Sequence, residues 1–248
     1  MINLFLSLAA GVATFSLFRG LIVHVAWEAL LPGLVAAVVT YILLARRSMK
    51  QLEALLLAAQ KELMGAPPTS KKDRDSRIDR AVRILETGFP LGRWQFLVTS
   101  NVHAQLGVFL YWREDYDAAL PHLSKSFIKH WIARCMLGCL AYRKKDLVQT
   151  EKSFEEAVRA NSKEGMLWST YGWCLEKLGA HEKAIAVLAR GAEKVPADER
   201  LKQNLERLRN GKKPKMDAYA EQWYQLALEA PPQLRAPTTG GRRAGFRR

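Results

Sequence analysis

The sequence GMLWSTYGWCLEKLGAHEKAIAVLARGAEKVPAD occupies residues 165–198. Its apolar residues follow a helical spacing on both sides of a short turn, which predicts two helices joined as a hairpin. Gly172 supplies the small residue that two antiparallel helices need where they approach closely, and Leu188 fills the space between them. Such a hairpin buries its apolar face by stacking on neighbouring hairpins rather than by long-range folding.

The same pattern recurs upstream at a spacing of 34 residues. The aligned pairs are Gly138 with Gly172, Phe154 with Leu188, and Ala157 with Gly191. From residue 94 to about residue 230 the chain shows no convincing strand pattern, only helices separated by short polar turns. The sequence therefore predicts an all-α fold.

The hairpin at 165–198 resembles the tetratricopeptide repeat (TPR) family. The residues that match the spacing of that motif are Trp168, Gly172, Gly179, Ala184, Leu188 and Pro196. The unit departs from the motif at Tyr171 and Leu175, where Leu and Tyr are usual, and at Gly191, which replaces Ala.

Two earlier units extend the resemblance to about 100 residues. The unit at 131–164 has Thr150 at a usual Ala and keeps Leu137, Gly138, Phe154 and Ala157. The unit at 100–130 is about three residues short of the period and keeps Leu106, Gly107, Ala119 and the DYDAAL stretch at 115–120. The resemblance implies an α-solenoid of about three TPR-like helix pairs with capping helices. Helical hairpins without that superhelix are the alternative.

The amino-terminal part of the chain is strongly apolar. Residues 2–18 and 29–45 form two uncharged apolar runs of 17 residues each, separated by a connector that carries Arg19 and Glu28. A helix of that length spans about 26 Å, slightly less than a hydrocarbon core of about 30 Å. If the two helices extend over residues 2–23 and 25–45, they are long enough to cross the hydrocarbon core, and the pattern predicts a transmembrane hairpin.

Two other interpretations of the apolar runs fit less well. A cleaved signal peptide lacks its usual amino-terminal Lys or Arg, and a second apolar run follows the first. A buried core hairpin does not account for Arg46, Arg47 and Lys50, which follow the second run as a basic stop. The positive-inside rule places that basic flank, and the repeats after it, in the cytoplasm. This arrangement indicates a bacterial inner-membrane protein.

The sequence divides into four parts. Residues 1–47 are the transmembrane hairpin, and residues 48–92 are predicted to hold an amphipathic helix at 48–64, a linker at 65–73 and a short helix at 76–86. The amphipathic helix either continues the second span or lies along the membrane surface. Residues 93–230 form the TPR-like domain, with closing helices predicted at 197–210 and 215–229. Residues 231–248 are a predicted disordered basic tail.

The charge of the chain favours acidic partners. Thirty-eight Lys and Arg residues exceed 24 Asp and Glu residues, which gives a net charge of +14. Five arginines fall in the tail, at Arg235, Arg242, Arg243, Arg247 and Arg248. These arginines favour attraction of the tail to the anionic lipids of the inner leaflet. Binding of nucleic acid or the ribosome is the alternative function, but Phe246 is the only aromatic residue in the tail available for base stacking.

No catalytic motif is evident, so we expect no catalysis, no cofactor and no metal. Cys135 and Cys139 lie four apart on one helical face, and Cys174 lies one repeat later. Zinc requires four ligands, and no histidine stands at a suitable spacing. Buried apolar thiols are the better interpretation.

The TPR resemblance implies that the first helix of each pair lines a concave groove. The groove positions would be Asn101, Gln105, Val108, Trp112, Cys135, Cys139, Tyr142, Met166, Ser169 and Trp173. The basic clamp that chaperone-binding relatives use for a peptide carboxylate is not expected, because Val108, Cys135 and Met166 stand at such positions. An apolar, aromatic groove suits an extended peptide or a helix. Its occupant is either a protein partner or the chain's own segment around Trp223 and Tyr224.

Overall fold

The computed structural model describes residues 1–21, 26–64 and 69–230. This part of the chain is all-α and contains no β-strand, which confirms the predicted fold class. Its α-helices are α1 (Ile2–Leu21), α2 (Ala26–Leu63), α3 (Lys71–Glu86), α4 (Val98–Trp112), α5 (Tyr116–Ser124), α6 (Trp131–Arg143), α7 (Leu147–Ala160), α8 (Gly165–Lys177), α9 (His181–Lys194), α10 (Glu199–Arg209) and α11 (Glu221–Tyr224). Short 3-10 turns occur at Phe89–Arg93 and Asp217–Tyr219.

Helices α1 and α2 pack closely against each other through small residues. A Cβ atom added to Gly11 would lie 2.8 Å from the Ala37 Cβ and 2.9 Å from the Gly33 carbonyl oxygen. Most of the large apolar side chains of both helices are exposed. By length and composition both helices are candidate membrane spans, and only 11% of the apolar window of each is buried inside the structure. A core hairpin of a soluble protein would bury most of that window.

Helix α2 continues without a break beyond the apolar run. The amphipathic stretch at 48–64 therefore prolongs the second candidate span, which was one of the two predicted arrangements. Leu52 and Ala59 on this stretch are buried, and the stretch packs on α3.

Helix α3 begins five residues earlier than the sequence predicted. The Ser70 side chain accepts a hydrogen bond from the Asp73 backbone nitrogen, and the Asp73 carboxylate accepts one from the Thr69 nitrogen. This reciprocal cap satisfies backbone donors at the start of the helix. The same carboxylate binds Arg77, which lowers the pKa of Asp73.

Three helical hairpins follow, α4–α5, α6–α7 and α8–α9, and α10 packs on the last pair. The predicted close approach at glycine is confirmed in each hairpin. A Cβ atom would lie 2.7 Å from Leu123 at Gly107, 2.6 Å from the Phe154 ring at Gly138, and 2.7 Å from Leu188 at Gly172. The first unit is short because α5 has 9 residues, whereas α7 and α9 have 14 each.

The predicted last helix at 215–229 is wrong. In its place are the 3-10 turn, the single turn of α11, and two left-handed residues, Ala220 with φ 48° and Ala227 with φ 49°. Tyr219, Trp223 and Leu226 are nevertheless buried, as predicted for its apolar side. Packing has therefore overridden the local helical propensity.

Some predictions lie outside the described residues. They fall on the tail at 231–248, with its five arginines, on residues 22–25 of the connector between the two apolar runs, and on residues 65–68 of the linker.

Candidate binding groove

The predicted groove positions lie on α4, α6 and α8, and this surface is called the groove below. Of the ten predicted positions, Val108, Cys135, Cys139, Met166, Ser169 and Trp173 are buried, and Asn101, Gln105, Trp112 and Tyr142 are partly buried. A later part of the chain lies against these helices. Residues 216–229, called the C-terminal segment below, pack against α4, α6 and α8.

An aromatic cluster holds the middle of the C-terminal segment. The indole of Trp223 is fully buried and packs edge-to-face on Trp173, with ring centroids 5.1 Å apart. Trp173 in turn packs edge-to-face on Tyr142 at 5.4 Å. Such pairs add about 0.5–1.5 kcal/mol each beyond the apolar area that they bury. Trp223 is therefore the main side-chain anchor of the segment.

Three side chains bind three successive main-chain carbonyl groups of the segment. The indole nitrogen of Trp112 donates to the Gln225 oxygen at 3.1 Å, and the hydroxyl of Tyr111 donates to the Leu226 oxygen at 2.7 Å. Arg143 Nη2 donates to the next carbonyl, that of Ala227, at 2.6 Å. Hydrogen bonds to carbonyl groups do not depend on the side chains of the bound segment. This end of the groove therefore binds the C-terminal segment through its backbone and not through its side chains.

Burial fixes the donor role of Tyr111. Removal from water raises the pKa of its hydroxyl well above the ordinary value for tyrosine, so the group stays protonated. The Arg143 guanidinium lies 4.6 Å from the centre of the Tyr116 ring, which holds it at the edge of the groove.

A polar pocket holds the other end of the segment. The Tyr219 hydroxyl donates to Asp198 Oδ2 at 3.3 Å and lies 2.8 Å from the Ser169 hydroxyl. The Arg200 guanidinium stacks over the Tyr219 ring at 4.4 Å. The segment is thus bound at both ends by polar contacts and in the middle by aromatic packing.

The remaining predicted positions make other contacts. The Asn101 amide donates to the Leu97 carbonyl within its own helix, and the Gln105 amide lies 3.3 Å from His130 Nε2. Cys135 and Cys139 are fully buried, which raises the pKa of both thiols. In the described part of the chain no cluster of His, Cys, Asp and Glu could hold a metal ion.

The sequence prediction missed two of the three backbone-binding residues. Tyr111 is in register with Tyr142, and Arg143 is in register with Trp112, at the 31-residue offset that also separates Gly107 from Gly138. Tyr142 and Trp112 were both predicted as groove residues. Applying the offset to every groove position would therefore have found Tyr111 and Arg143.

Comparisons with known proteins found no match for this chain. No family model matches the sequence, and no curated protein is similar to it.

Proposed function

We propose that this protein is a membrane-tethered TPR-type adaptor that binds a segment of a protein partner in its concave groove. The observation that carries the proposal is the set of donors on Trp112, Tyr111 and Arg143, which bind three consecutive carbonyl groups beside an aromatic pocket. A surface that binds one polypeptide segment in this way has the chemistry to bind another of similar pattern. No catalytic group takes part in the proposed function.

The C-terminal segment indicates what a partner would look like. Its anchor is Trp223, with Leu226 three residues later and Tyr219 four residues before. A partner segment would carry an aromatic anchor with an apolar residue in the next turn, and it would present its carbonyl groups to the same donors. The C-terminal segment is tethered beside the groove, so it competes with such a partner at a high effective concentration. The apparent affinity for the partner is therefore the intrinsic affinity multiplied by the fraction of grooves that are free.

Membrane attachment is the second part of the proposal. It is supported by the two candidate spans, whose apolar side chains are exposed, and by Arg46 and Arg47 directly after the second apolar run. The proposed location is the bacterial inner membrane, with the repeat hairpins in the cytoplasm. A tether to the bilayer raises the local concentration of the groove for membrane-bound partners.

A synthetic peptide of residues 216–229 tests the groove. We expect the labelled peptide to bind the detergent-solubilised Trp223→Ala chain more tightly than the wild-type chain, because the variant's own segment no longer competes. Fluorescence anisotropy measures the binding. The matched controls are a peptide carrying the same Trp→Ala change, and the double variant Trp223→Ala with Trp173→Ala, neither of which should give tight binding. A folded Trp223→Ala chain that fails to bind the peptide would contradict the proposal.

A further inference from the structure

The loop at residues 93–96 joins the repeat domain to the ends of the two candidate spans. The backbone nitrogen of Asn3, in the first turn of α1, donates to the Trp94 carbonyl at 3.3 Å. The Met1 nitrogen donates to the Arg93 carbonyl at 2.6 Å. These two bonds place the loop at the start of the first span.

A buried polar network ties the same loop to the second span. The Asn3 amide nitrogen lies 2.9 Å from Ser48 Oγ, 3.3 Å from the Leu44 carbonyl oxygen and 3.4 Å from Gln95 Oε1. The Gln95 amide also donates to the Tyr41 hydroxyl at 3.1 Å. Asn3 and Gln95 are both buried, and these bonds give their amide nitrogens partners within the protein.

This network fixes the depth of the loop relative to the apolar run at 29–45. Tyr41 and Leu44 belong to the last turns of that run, and Ser48 lies just beyond its end. Gln95 of the loop contacts Tyr41 directly and is joined to Leu44 and Ser48 through Asn3, so the loop lies level with the point where α2 leaves the apolar zone. In a membrane this level is the interface between headgroups and acyl chains.

Two aromatic side chains of the loop are largely exposed. Gln95 points into the network, whereas Trp94 is 42% exposed and Phe96 is 59% exposed. Large exposed aromatic side chains beside one another mark an interaction surface in soluble proteins. Trp is also the residue that prefers the membrane interface.

Three basic residues lie at or near the level of the loop. Arg93 belongs to the loop, Arg46 and Arg47 lie on α2 at the same level, and Arg47 lines the same cleft as Trp94 and Asn3. A patch that combines aromatic and basic side chains complements an anionic lipid surface, because the aromatic rings enter the interface while the cations meet lipid phosphates. The charge and the position beside both spans favour lipid over a protein as the cover.

We propose that Trp94 and Phe96 insert into the interface of the membrane that the hairpin spans, with Arg46, Arg47 and Arg93 on the phosphates of anionic lipids. The inference rests on the membrane attachment in the proposed function and adds a second contact to it. The loop holds the first repeat hairpin against the bilayer in one orientation.

A fluorescent probe on Phe96→Cys tests the insertion. The full chain is labelled with an environment-sensitive NBD group and reconstituted in vesicles of phosphatidylcholine with phosphatidylglycerol. The three native cysteines are fully buried, so the new thiol is the reactive one. The matched control is Val148→Cys, at a residue on α7 that is 77% exposed. We expect a blue shift of the emission and quenching by spin-labelled lipid at position 96, with neither at position 148.

Each other outcome overturns the inference. Quenching by aqueous iodide that is equal at positions 96 and 148 would show that the loop lies in water. A blue shift at 96 without lipid quenching would show that a second copy of the chain covers the loop. Alkaline extraction separates failure of the loop contact from failure of the tether. A chain that stays in the vesicles with position 96 in water refutes the loop contact alone, whereas a chain released from the vesicles refutes membrane attachment as well.

Discussion

Replacing Trp223 with alanine is expected to remove about 3–5 kcal/mol of stabilising free energy, the usual range for deleting a large buried aromatic side chain. The indole is fully buried against Trp173, and its nitrogen donates to Glu229 Oε2 at 3.1 Å. The loss falls mainly on the docking of the C-terminal segment, because the helical hairpins pack through contacts of their own, such as Gly138 on Phe154. The segment should therefore leave the groove while the hairpins stay folded.

Limited chymotrypsin digestion measures this release. The segment contains cleavage sites at Tyr219 and Tyr224 and no Lys or Arg. We expect cleavage there to be slow in the wild-type chain and roughly a hundred-fold faster in the variant, because 3 kcal/mol changes an opening equilibrium by about that factor. Val148→Ala, at an exposed position, is the control and should change stability by less than about 0.5 kcal/mol. Unchanged cleavage in the Trp223→Ala chain would show that the segment is not held by this side chain.

Arginine at exposed apolar positions of α1 and α2 is expected to abolish membrane insertion. Val12 and Leu34 are exposed side chains within the two apolar runs. An arginine at the centre of a span costs about 2.5–3.5 kcal/mol on the insertion scale. The double variant Val12→Arg and Leu34→Arg should therefore be extracted from membranes at alkaline pH, whereas the wild-type chain should stay with the lipid.

The control for this experiment is Val148→Arg, which adds a charge to the repeat domain and should leave membrane retention unchanged. If α1 and α2 instead lay in water, the wild-type chain and the double variant would both be found in the supernatant, and the two arginines would change nothing. Wild-type chain in the supernatant before any extraction would contradict the tether directly.

The sequence predicted those parts of the fold in which local pattern and tertiary packing agree. The alignment of Gly138 with Gly172 predicted where the hairpin helices touch, and the apolar runs predicted α1 and α2. The start of α3 was misplaced because Asp73 was assigned to the linker, although its nitrogen donates to the Ser70 side chain and its carboxylate accepts from the Thr69 nitrogen at the start of the helix.

The C-terminal segment could not be predicted from local pattern. Its residues have a helical spacing of apolar side chains, but contacts with α4, α6 and α8 impose left-handed conformations at Ala220 and Ala227. Hydrogen bonds to its carbonyl groups leave no trace in its own sequence. The network of Asn3 and Gln95 also leaves no local sequence pattern, because it joins residues 92 positions apart.

A photo-cross-linking amino acid in place of Trp112 tests the occupancy of the groove most directly. Trp112 lies at the groove's edge, is only partly buried and contacts Gln225. In native membranes, mass spectrometry of the otherwise wild-type chain should detect an internal cross-link between position 112 and residues 216–229. Adding Trp223→Ala should replace this product with a cross-link to a second protein. The account would be contradicted if the internal product were absent from the otherwise wild-type chain, or if the Trp223→Ala chain gave no cross-link to another protein.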